Sequence, residues 1–326
     1  MPSQAKTAQA ALLALDWGTS SLRAYLLSAD GSILDVRHAG WGIMRLPEGG
    51  FAGALESLCG DWLDANPQLP MIASGMVGSA QGWREVPYAA APASPDALAK
   101  GLREVQGPRG KLVYIVPGVL QEGRKPNVMR GEETQVFGAL SLAPNLFGNA
   151  LEGVIVLPGT HSKWVHVREG RIEAFLTFMT GELFDVLRKH SILGRLMQED
   201  SAGDMKAFEL GLLEAADEER SALLSSLFSV RTLGLTQRLH PPQLGDYLSG
   251  LLIGHEIREA QHLFAAHLDE QPIALIGAEE LCRRYAMALS RFGLAVHGKD
   301  FTDATAAGLW QIACSAGLVA KEHAAC

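Results

Sequence analysis

One strand-turn-strand unit occurs twice in this chain, and that duplication constrains the fold more than any single motif. LLALDWGTSSLRAYLLSADGSILDV, beginning at Leu12, runs apolar strand, glycine-hydroxyl turn, strand, acidic-glycine turn, strand; VIVLPGTHSKWVHVREGRIEAF, beginning at Val154, repeats the order. Gly18, Thr19 and Ser21 recur as Gly159, Thr160 and Ser162, 141 residues further on, and the turn Asp30-Gly31 recurs as Glu169-Gly170 after 139. Two such units predict two related lobes facing each other. A glycine-hydroxyl tip offers backbone N–H groups and a hydroxyl to a phosphate, because glycine lets the backbone approach without a side-chain clash. Two tips facing one cleft would hold both ends of a polyphosphate.

The 326 residues fit two lobes of ordinary size, and 48% hydrophobic against 20% charged residues suffices for a core in each. A net charge of −8 without a basic run argues against nucleic acid and anionic membrane as partners. Cys59, Cys282, Cys314 and Cys326 show no CxxC spacing and no zinc-like His pairing, so they read as isolated thiols of a reducing compartment. The opening MPSQAKTAQAA lacks the apolar core of a signal peptide, and no apolar run approaches the roughly 20 residues that span a bilayer. The expectation is a soluble, cytoplasmic protein.

FAGALESLCGDWLDANPQ places Phe51, Leu55, Leu58, Trp62 and Leu63 on one helical face, ended by Asn66-Pro67. PMIASGMVGS reads as a buried strand entering a glycine-rich loop, and KLVYIVPGV as the next parallel strand. Strands alternating with helices after an antiparallel set predict a mixed sheet covered on both faces. Residues 121–130, polar and containing Pro126, read as the crossing between lobes, which sets the expected domains at 1–130 and 131–326. After Gly131 come a helix, the second strand unit, a long helical stretch from Gly181 to about His267, a strand-turn-helix at PIALIGAEEL, one more strand and a terminal helix.

Asp16 lies at the end of a strand two residues before the Gly-Thr tip, at the sheet edge where such folds place ligands. A carboxylate there suits a hydrated Mg²⁺, which keeps most of its waters and takes few protein oxygens. The second unit has Leu157-Pro158 in place of Asp16-Trp17, so one lobe alone supplies the metal carboxylate. Gly18, Thr19 and Ser20 on the first tip and Gly159, Thr160, His161 and Ser162 on the second are phosphate contacts, with Lys163 or His161 adding charge. Glu132 and Glu133 open the helix after the crossing. Such carboxylates complement a helix N-terminus, or one of them takes the proton of an attacking hydroxyl. Arg130 beside them either neutralises a substrate carboxylate or is a solvated linker residue. Gly277, Ala278 and Glu280 form a small-residue turn against which an adenine can lie. Gly75, Met76, Gln81 and Trp83 combine amides and an aromatic ring suited to a polyhydroxy ligand, or else form a structural loop with a buried tryptophan.

These features in order resemble the actin/hexokinase/heat-shock-chaperone superfamily, and GMVGSAQGW, VMRGEETQ, GTHSKWVHV, FMTGELFDVLRKHSILG and LFSVRTLGL resemble the 2-dehydro-3-deoxygalactonokinase family over nearly the whole chain. The resemblance implies an α/β protein of two RNase-H-like lobes, mixed sheets flanked by helices, with an ATP cleft between them. It implies an ATP- and Mg²⁺-dependent kinase acting on the 6-hydroxyl of 2-dehydro-3-deoxy-D-galactonate in galactonate breakdown, with a superfamily phosphohydrolase as the alternative. On this reading Asp16, Gly18 and Thr19 fall on the first phosphate motif, Gly159 to Ser162 on the second and Gly277 to Glu280 on the adenosine motif. The Glu132-Glu133 pair resembles the interlobe carboxylate of superfamily phosphatases. Arg130 or Arg84 is left to pair with the substrate carboxylate. Where an Asp-Gly-Asp-like turn is expected, the chain has GKDFTDATAAGLW, which leaves Asp300 and Asp303 without a role.

Overall fold

The structure, a computed structural model, describes residues 9–198, 203–217, 222–268, 271–298 and 301–319. In chain order the elements are β1 (Ala10–Trp17), β2 (Leu22–Ser28), β3 (Ile33–Ala39), α1 (Gly50–Ala65), β4 (Met71–Ser74), β5 (Ala89–Ala90), α2 (Pro95–Gly101), β6 (Arg103–Gln106), β7 (Leu112–Ile115), β8 (Val119–Gln121), β9 (Asn127–Met129), α3 (Glu132–Leu142) and α4 (Pro144–Phe147). They continue with β10 (Gly153–Leu157), β11 (Ser162–Arg168), β12 (Arg171–Phe178), α5 (Thr180–His190), α6 (Met205–Ala216), α7 (Leu223–Leu235), α8 (Leu244–Leu263), β13 (Ile273–Leu275), α9 (Glu279–Arg291), β14 (Val296–Gly298) and α10 (Ala304–Ser315).

The duplication survives as two sheets of one design. The first runs β3-β2-β1-β4-β7-β6 and the second β12-β11-β10-β13-β14. In the first, β1 pairs antiparallel with β2 and parallel with β4, and β4 is parallel to β7; in the second, β10 is parallel to β13 and β13 to β14. Three meander strands followed by two parallel ones give each sheet the RNase-H-like order. Central strands are buried on both faces, as strands with helices above and below must be: Leu12 to Leu15 of β1 and Val154 to Val156 of β10 are fully enclosed. The edge strand β3 instead carries Asp35, Arg37 and His38, charges that blunt an open edge. Helix α1 buries Ala54, Leu55, Cys59, Trp62 and Leu63 on the face anticipated from spacing, and it stops where the Asn66 N–H caps back to the Trp62 carbonyl ahead of Pro67.

The chain divides into two compact units, but not at residue 130. One unit takes everything up to Leu151, Val167–Ala174 and the segment from Phe301 onward; the other takes Glu152–His166 and Phe175 through β14. Two features of the first unit explain the difference. Residues 121–130 are no crossing: Gln121 pairs with Asn127 in the antiparallel β8-β9 hairpin, which turns around Gly123 at a φ of 154°. The terminal helix α10 returns to pack on α3 at a distance set by glycine. A Cβ added at Gly138 would overlap the Ala304 carbonyl, and one at Gly308 would overlap that of Thr134.

The second unit is mostly helical, and Leu193, Val230, Leu244, Leu248 and Leu251 lie in the core between its helices. Among the described residues Cys59, Cys282 and Cys314 form no disulfide, and no helix is long and apolar enough to cross a membrane. Cys326 and Asp300 lie outside the described residues. The α3–α10 contact gives a direct expectation. Gly138→Ala should push the two helices apart and cost about 1–3 kcal/mol of stability, seen as a lower urea midpoint; an unchanged midpoint would show that the crossing has room for a methyl group.

Candidate active site

In the first unit the site grows from one sheet edge. Strands β1 and β4 run parallel and finish together, with Asp16 paired to Ser74 across the ladder and to Arg23 on its other side. The chain after β4 turns at Gly75, whose φ of 94° suits glycine and whose added Cβ would sit 2.8 Å from the Trp17 carbonyl oxygen. Gly131, with a φ of 110°, packs against Gly75 so closely that a Cβ on it would meet the Gly75 Cα at 3.3 Å. Backbone on backbone, these glycines bring the head of α3, with Glu132 and Glu133, to the edge that carries Asp16.

Three carboxyls therefore share a small region, and two of them, Asp16 and Glu133, are shifted by it. Burial pushes the Asp16 carboxyl up, Arg23 opposes that, and the Glu132 charge adds to it. Glu133 is fully buried. Its carboxyl is pushed up to about 8, first by burial and then by Glu132, against the pull of backbone N–H groups and Arg130. Its Oε2 accepts the Gly131 N–H at 2.7 Å, while its Oε1 is buried with no hydrogen-bond partner among the described residues. Glu132 is half-buried and accepts the Arg130 N–H at 3.0 Å. Both glutamates thus serve α3 as N-terminal acceptors, and Glu133 keeps one oxygen to spare.

Arg130 is not the solvated linker residue. Its Nη2 donates to the Val86 carbonyl at 2.7 Å, its guanidinium lies 4.4 Å from the centre of the Tyr88 ring, and its Nε and Nη1 are buried without hydrogen-bond partners among the described residues. Ser74 Oγ is likewise buried and unpartnered. Arg84 donates to the Glu104 carbonyl and is exposed. Trp83 stacks on Phe51 at 5.4 Å and meets Trp17 edge-on at 5.8 Å, so one face of the expected aromatic platform is already covered. Gly75 is buried, Met76 half-buried and Gln81 exposed on the same loop. At the tip, Thr19 and Ser20 are exposed, the Gly18 N–H closes onto the Ser21 carbonyl at 2.9 Å, and the Gly18 and Thr19 carbonyls accept the N–H groups of Ile43 and Met44.

In the second unit Gly159, Thr160 and His161 form the tip between β10 and β11, with Thr160 and His161 exposed. The head of α5 packs on it: Gly181 lies where a Cβ would overlap the Gly159 carbonyl, Glu182 N–H donates to the Thr160 carbonyl at 2.9 Å, and the Glu182 carboxylate meets His161 Nε2 at 2.5 Å. Ser162 departs from the expectation for its side chain. It is wholly buried, and its hydroxyl donates to Glu256 at 2.7 Å, away from the tip. The period-2 alternation of β11 decides this, because Ser162 and Trp164 share the inward face. Lys163 is also buried, so of the two expected cations His161 is the exposed one.

A cavity of about 650 Å³ lies in this unit, bounded by Gly159, Thr180 and Gly181 at the tip and by Ala278, Glu280 and Arg284 along α9. Gly277 precedes it on the turn from β13 into α9. Arg284 bridges Asp246 at 2.7 Å and Glu280 at 3.1 Å, and bonds to Arg283 and Arg284 hold the exposed Glu280 carboxyl down at about 2. Asp246, Arg284, Arg188, Tyr285 and Glu256 belong to this region and were not anticipated. Their one sequence signal is polarity on otherwise apolar helical faces.

Two RNase-H-like sheets, each ending in a glycine-hydroxyl tip, with carboxylates at one tip and a nucleotide-sized cavity beside the other, define a protein of the actin/hexokinase/heat-shock-chaperone class. A family profile for 2-keto-3-deoxy-galactonokinase matches residues 16–312. The chain is 36% identical to the 2-dehydro-3-deoxygalactonokinase of Escherichia coli K12 over 304 residues, 92% of this chain and 97% of that protein. It is 37% identical to a Rhizobium meliloti protein named "Probable 2-dehydro-3-deoxygalactonokinase DgoK1", with 91% and 94% covered. A crystal structure from Sinorhizobium meliloti, of a candidate for the same enzyme, superposes with a TM-score of 0.82 at 35% identity over 93% of this chain and 98% of that one. The chain belongs to the 2-dehydro-3-deoxygalactonokinase family.

The state of Glu133 has a consequence for stability. An unfolded glutamate titrates near the ordinary 4.5 and the folded Glu133 at about 8, so the native state binds the extra proton between these values. Stability should therefore fall as pH rises from about 4.5 to about 8. Glu133→Gln removes that slope. Thermal unfolding of the ligand-free protein across the interval, without divalent cations, measures it; parallel curves for the two proteins would count against a raised Glu133.

Proposed function

We propose that this chain transfers the γ-phosphoryl group of ATP to the 6-hydroxyl of 2-dehydro-3-deoxy-D-galactonate, giving 2-dehydro-3-deoxy-6-phosphogalactonate and ADP in galactonate catabolism, a cytoplasmic step. Family membership over almost the full length supports the reaction. The observation in the fold that carries it is the group of unpartnered buried polar atoms around Gly75 and Gly131: Ser74 Oγ, Glu133 Oε1 and two guanidinium nitrogens of Arg130. Buried polar groups are ordinarily paired. A polyhydroxy acid brings hydroxyls for the acceptors and a carboxylate for the cation.

Glu133 is the base in this reading. In its ionised form Oε1 accepts the proton of the 6-hydroxyl as that oxygen attacks phosphorus, and the O–P bond to ADP breaks in the same displacement. A pushed-up carboxyl binds that proton more firmly than an ordinary one. Glu132 sustains this affinity by repulsion and does not itself touch the hydroxyl. In the first unit the exposed Thr19 and Ser20 receive phosphate oxygens, on a turn that the Gly18 N–H closes. In the second, Gly159, Thr160 and His161 receive them, with the adenosine along Gly277, Ala278 and Glu280. Gly75, Met76, Gln81 and Trp83 border the sugar acid.

The residues also fit Mg²⁺. Among the described residues no three His, Cys, Asp or Glu side chains gather into a metal cage. Asp16 alone, its carboxyl pushed up by burial and by Glu132, gains from a nearby cation, and Mg²⁺ commonly binds through one or two carboxylates, its waters and substrate phosphates. When bound, it would neutralise phosphate charge beside Asp16.

The test is ADP release with a panel of aldonic and 2-keto-3-deoxy acids. ADP release that depends on the galactonate-derived acid supports the assignment; steady ATP consumption without any sugar acid would establish the hydrolase instead. For the roles, kcat/KM should rise with pH toward a free-enzyme value of about 8. Glu133→Gln should lose about 100-fold or more and flatten that rise. Asp16→Asn should lose most turnover while remaining folded. Folded variants with wild-type rates would remove both residues from the mechanism.

A further inference from the structure

The cavity of the second unit is built around a carboxylate that does not line it. Glu256 on α8 is 3% exposed. Its Oε1 accepts the Ser162 hydroxyl at 2.7 Å and the Trp164 indole N–H at 2.8 Å, and its Oε2 accepts the Tyr285 hydroxyl at 2.7 Å. The Thr180 side chain is a further hydrogen-bond partner. These donors come from separate elements: Ser162 and Trp164 from β11 directly after the tip, Thr180 from the head of α5, Tyr285 from α9. Gly159, Thr180, Gly181 and Tyr285 all line the cavity, as do Asp246, Ser249, Leu252 and Ile253 from α8 itself.

We infer that Glu256 is a positioning residue for the nucleotide, fixing the phosphate-facing tip, the head of α5 and the adenosine-side helix α9 in one register around the cavity. The inference rests on the proposal that ATP occupies this cavity, and goes beyond it by naming what holds the cavity in shape. An ionised carboxylate is an acceptor at both oxygens, with sites for all of these donors. No other side chain of that size accepts from both ends. Glutamine in its place keeps volume and shape but turns one end into an N–H₂ donor. Turned toward β11, that amide opposes the Trp164 indole N–H, which can only donate; turned toward α9, it can donate to the Tyr285 hydroxyl only if that hydroxyl gives up its bond to the carboxylate and turns its proton to another acceptor such as Ser162 Oγ, 3.5 Å away. Either way the charged bonds that tie these elements together are weakened, while the sugar-acid residues, all in the first unit, are untouched.

The experiment begins with calorimetric ATP binding to the wild-type protein, followed by KM for ATP and for the sugar acid in Glu256→Gln. The expected result is a folded protein whose Kd and KM for ATP rise roughly tenfold or more, the scale of hydrogen bonds to a charged group, with KM for the sugar acid unchanged. Tyr285→Phe and Ser162→Ala each remove one donor on a different element, and should raise the ATP values by smaller factors. A folded Glu256→Gln enzyme with wild-type ATP affinity overturns the inference, and so does one in which both KM values rise in step. Should Glu256→Gln fail to fold, the two single-donor variants decide: wild-type ATP affinity in both overturns it, and weakened ATP affinity with an unchanged sugar-acid KM sustains it. A wild-type protein that binds no ATP would instead sink the nucleotide reading of the cavity, and this inference with it.

Discussion

Close approach of one backbone to another is the constraint on which the acceptor-side carboxyls depend. Gly75 lies against the Trp17 carbonyl and Gly131 lies against Gly75, and neither contact admits a β-carbon without displacement. The stack of β1, the β4 exit and the head of α3 is therefore as thin as polypeptide allows. The Glu132 charge therefore adds to the effect of burial on both Asp16 and Glu133. The second unit uses the same device once, where Gly181 seats the head of α5 on the tip carbonyl of Gly159.

Two buried glutamates differ in how far hydrogen bonding compensates their burial. Glu133 and Glu256 are both pushed up, chiefly by burial. Glu256 has donors on both oxygens, so its burial is compensated and its elements are locked. Glu133 has one oxygen satisfied and one bare. An uncompensated buried acceptor costs on the order of 1–3 kcal/mol, which a chain retains where a ligand later satisfies it.

Much of the fold was legible in the sequence because the duplication fixes strand order. Three strands with a tip and a turn, repeated, gave both meanders, and apolar runs bounded by glycine and proline gave β4, β7 and β13. Other features depend on distances that no local pattern encodes. The β8-β9 hairpin has strands of three residues and a polar turn, which reads as linker. Helix α10 returns to the first unit through two glycines, 170 positions apart, that sit in unremarkable helical sequence. Glu256 is 94 residues from Ser162 and 92 from Trp164. The positions of the candidate residues were legible where they follow the strand ends, at Asp16 and the two tips, and at the head of α3 with Glu132 and Glu133. That Glu133 is enclosed and Glu132 half-buried depends on packing that no local pattern encodes.

The repeat also fixes position without fixing role, and the difference can be traced atom by atom. Ser21 is exposed beside its tip, whereas its counterpart Ser162 is buried on Glu256. Asp16 stands where the second unit has the buried Leu157. The first unit thus sets a half-buried carboxylate at the end of β1, whereas the matching strand end of the second unit carries an apolar side chain, and the hydroxyl beside its tip donates to a carboxylate of α8 instead. A shared strand-turn-strand plan therefore sets where a side chain stands without setting which charge it meets.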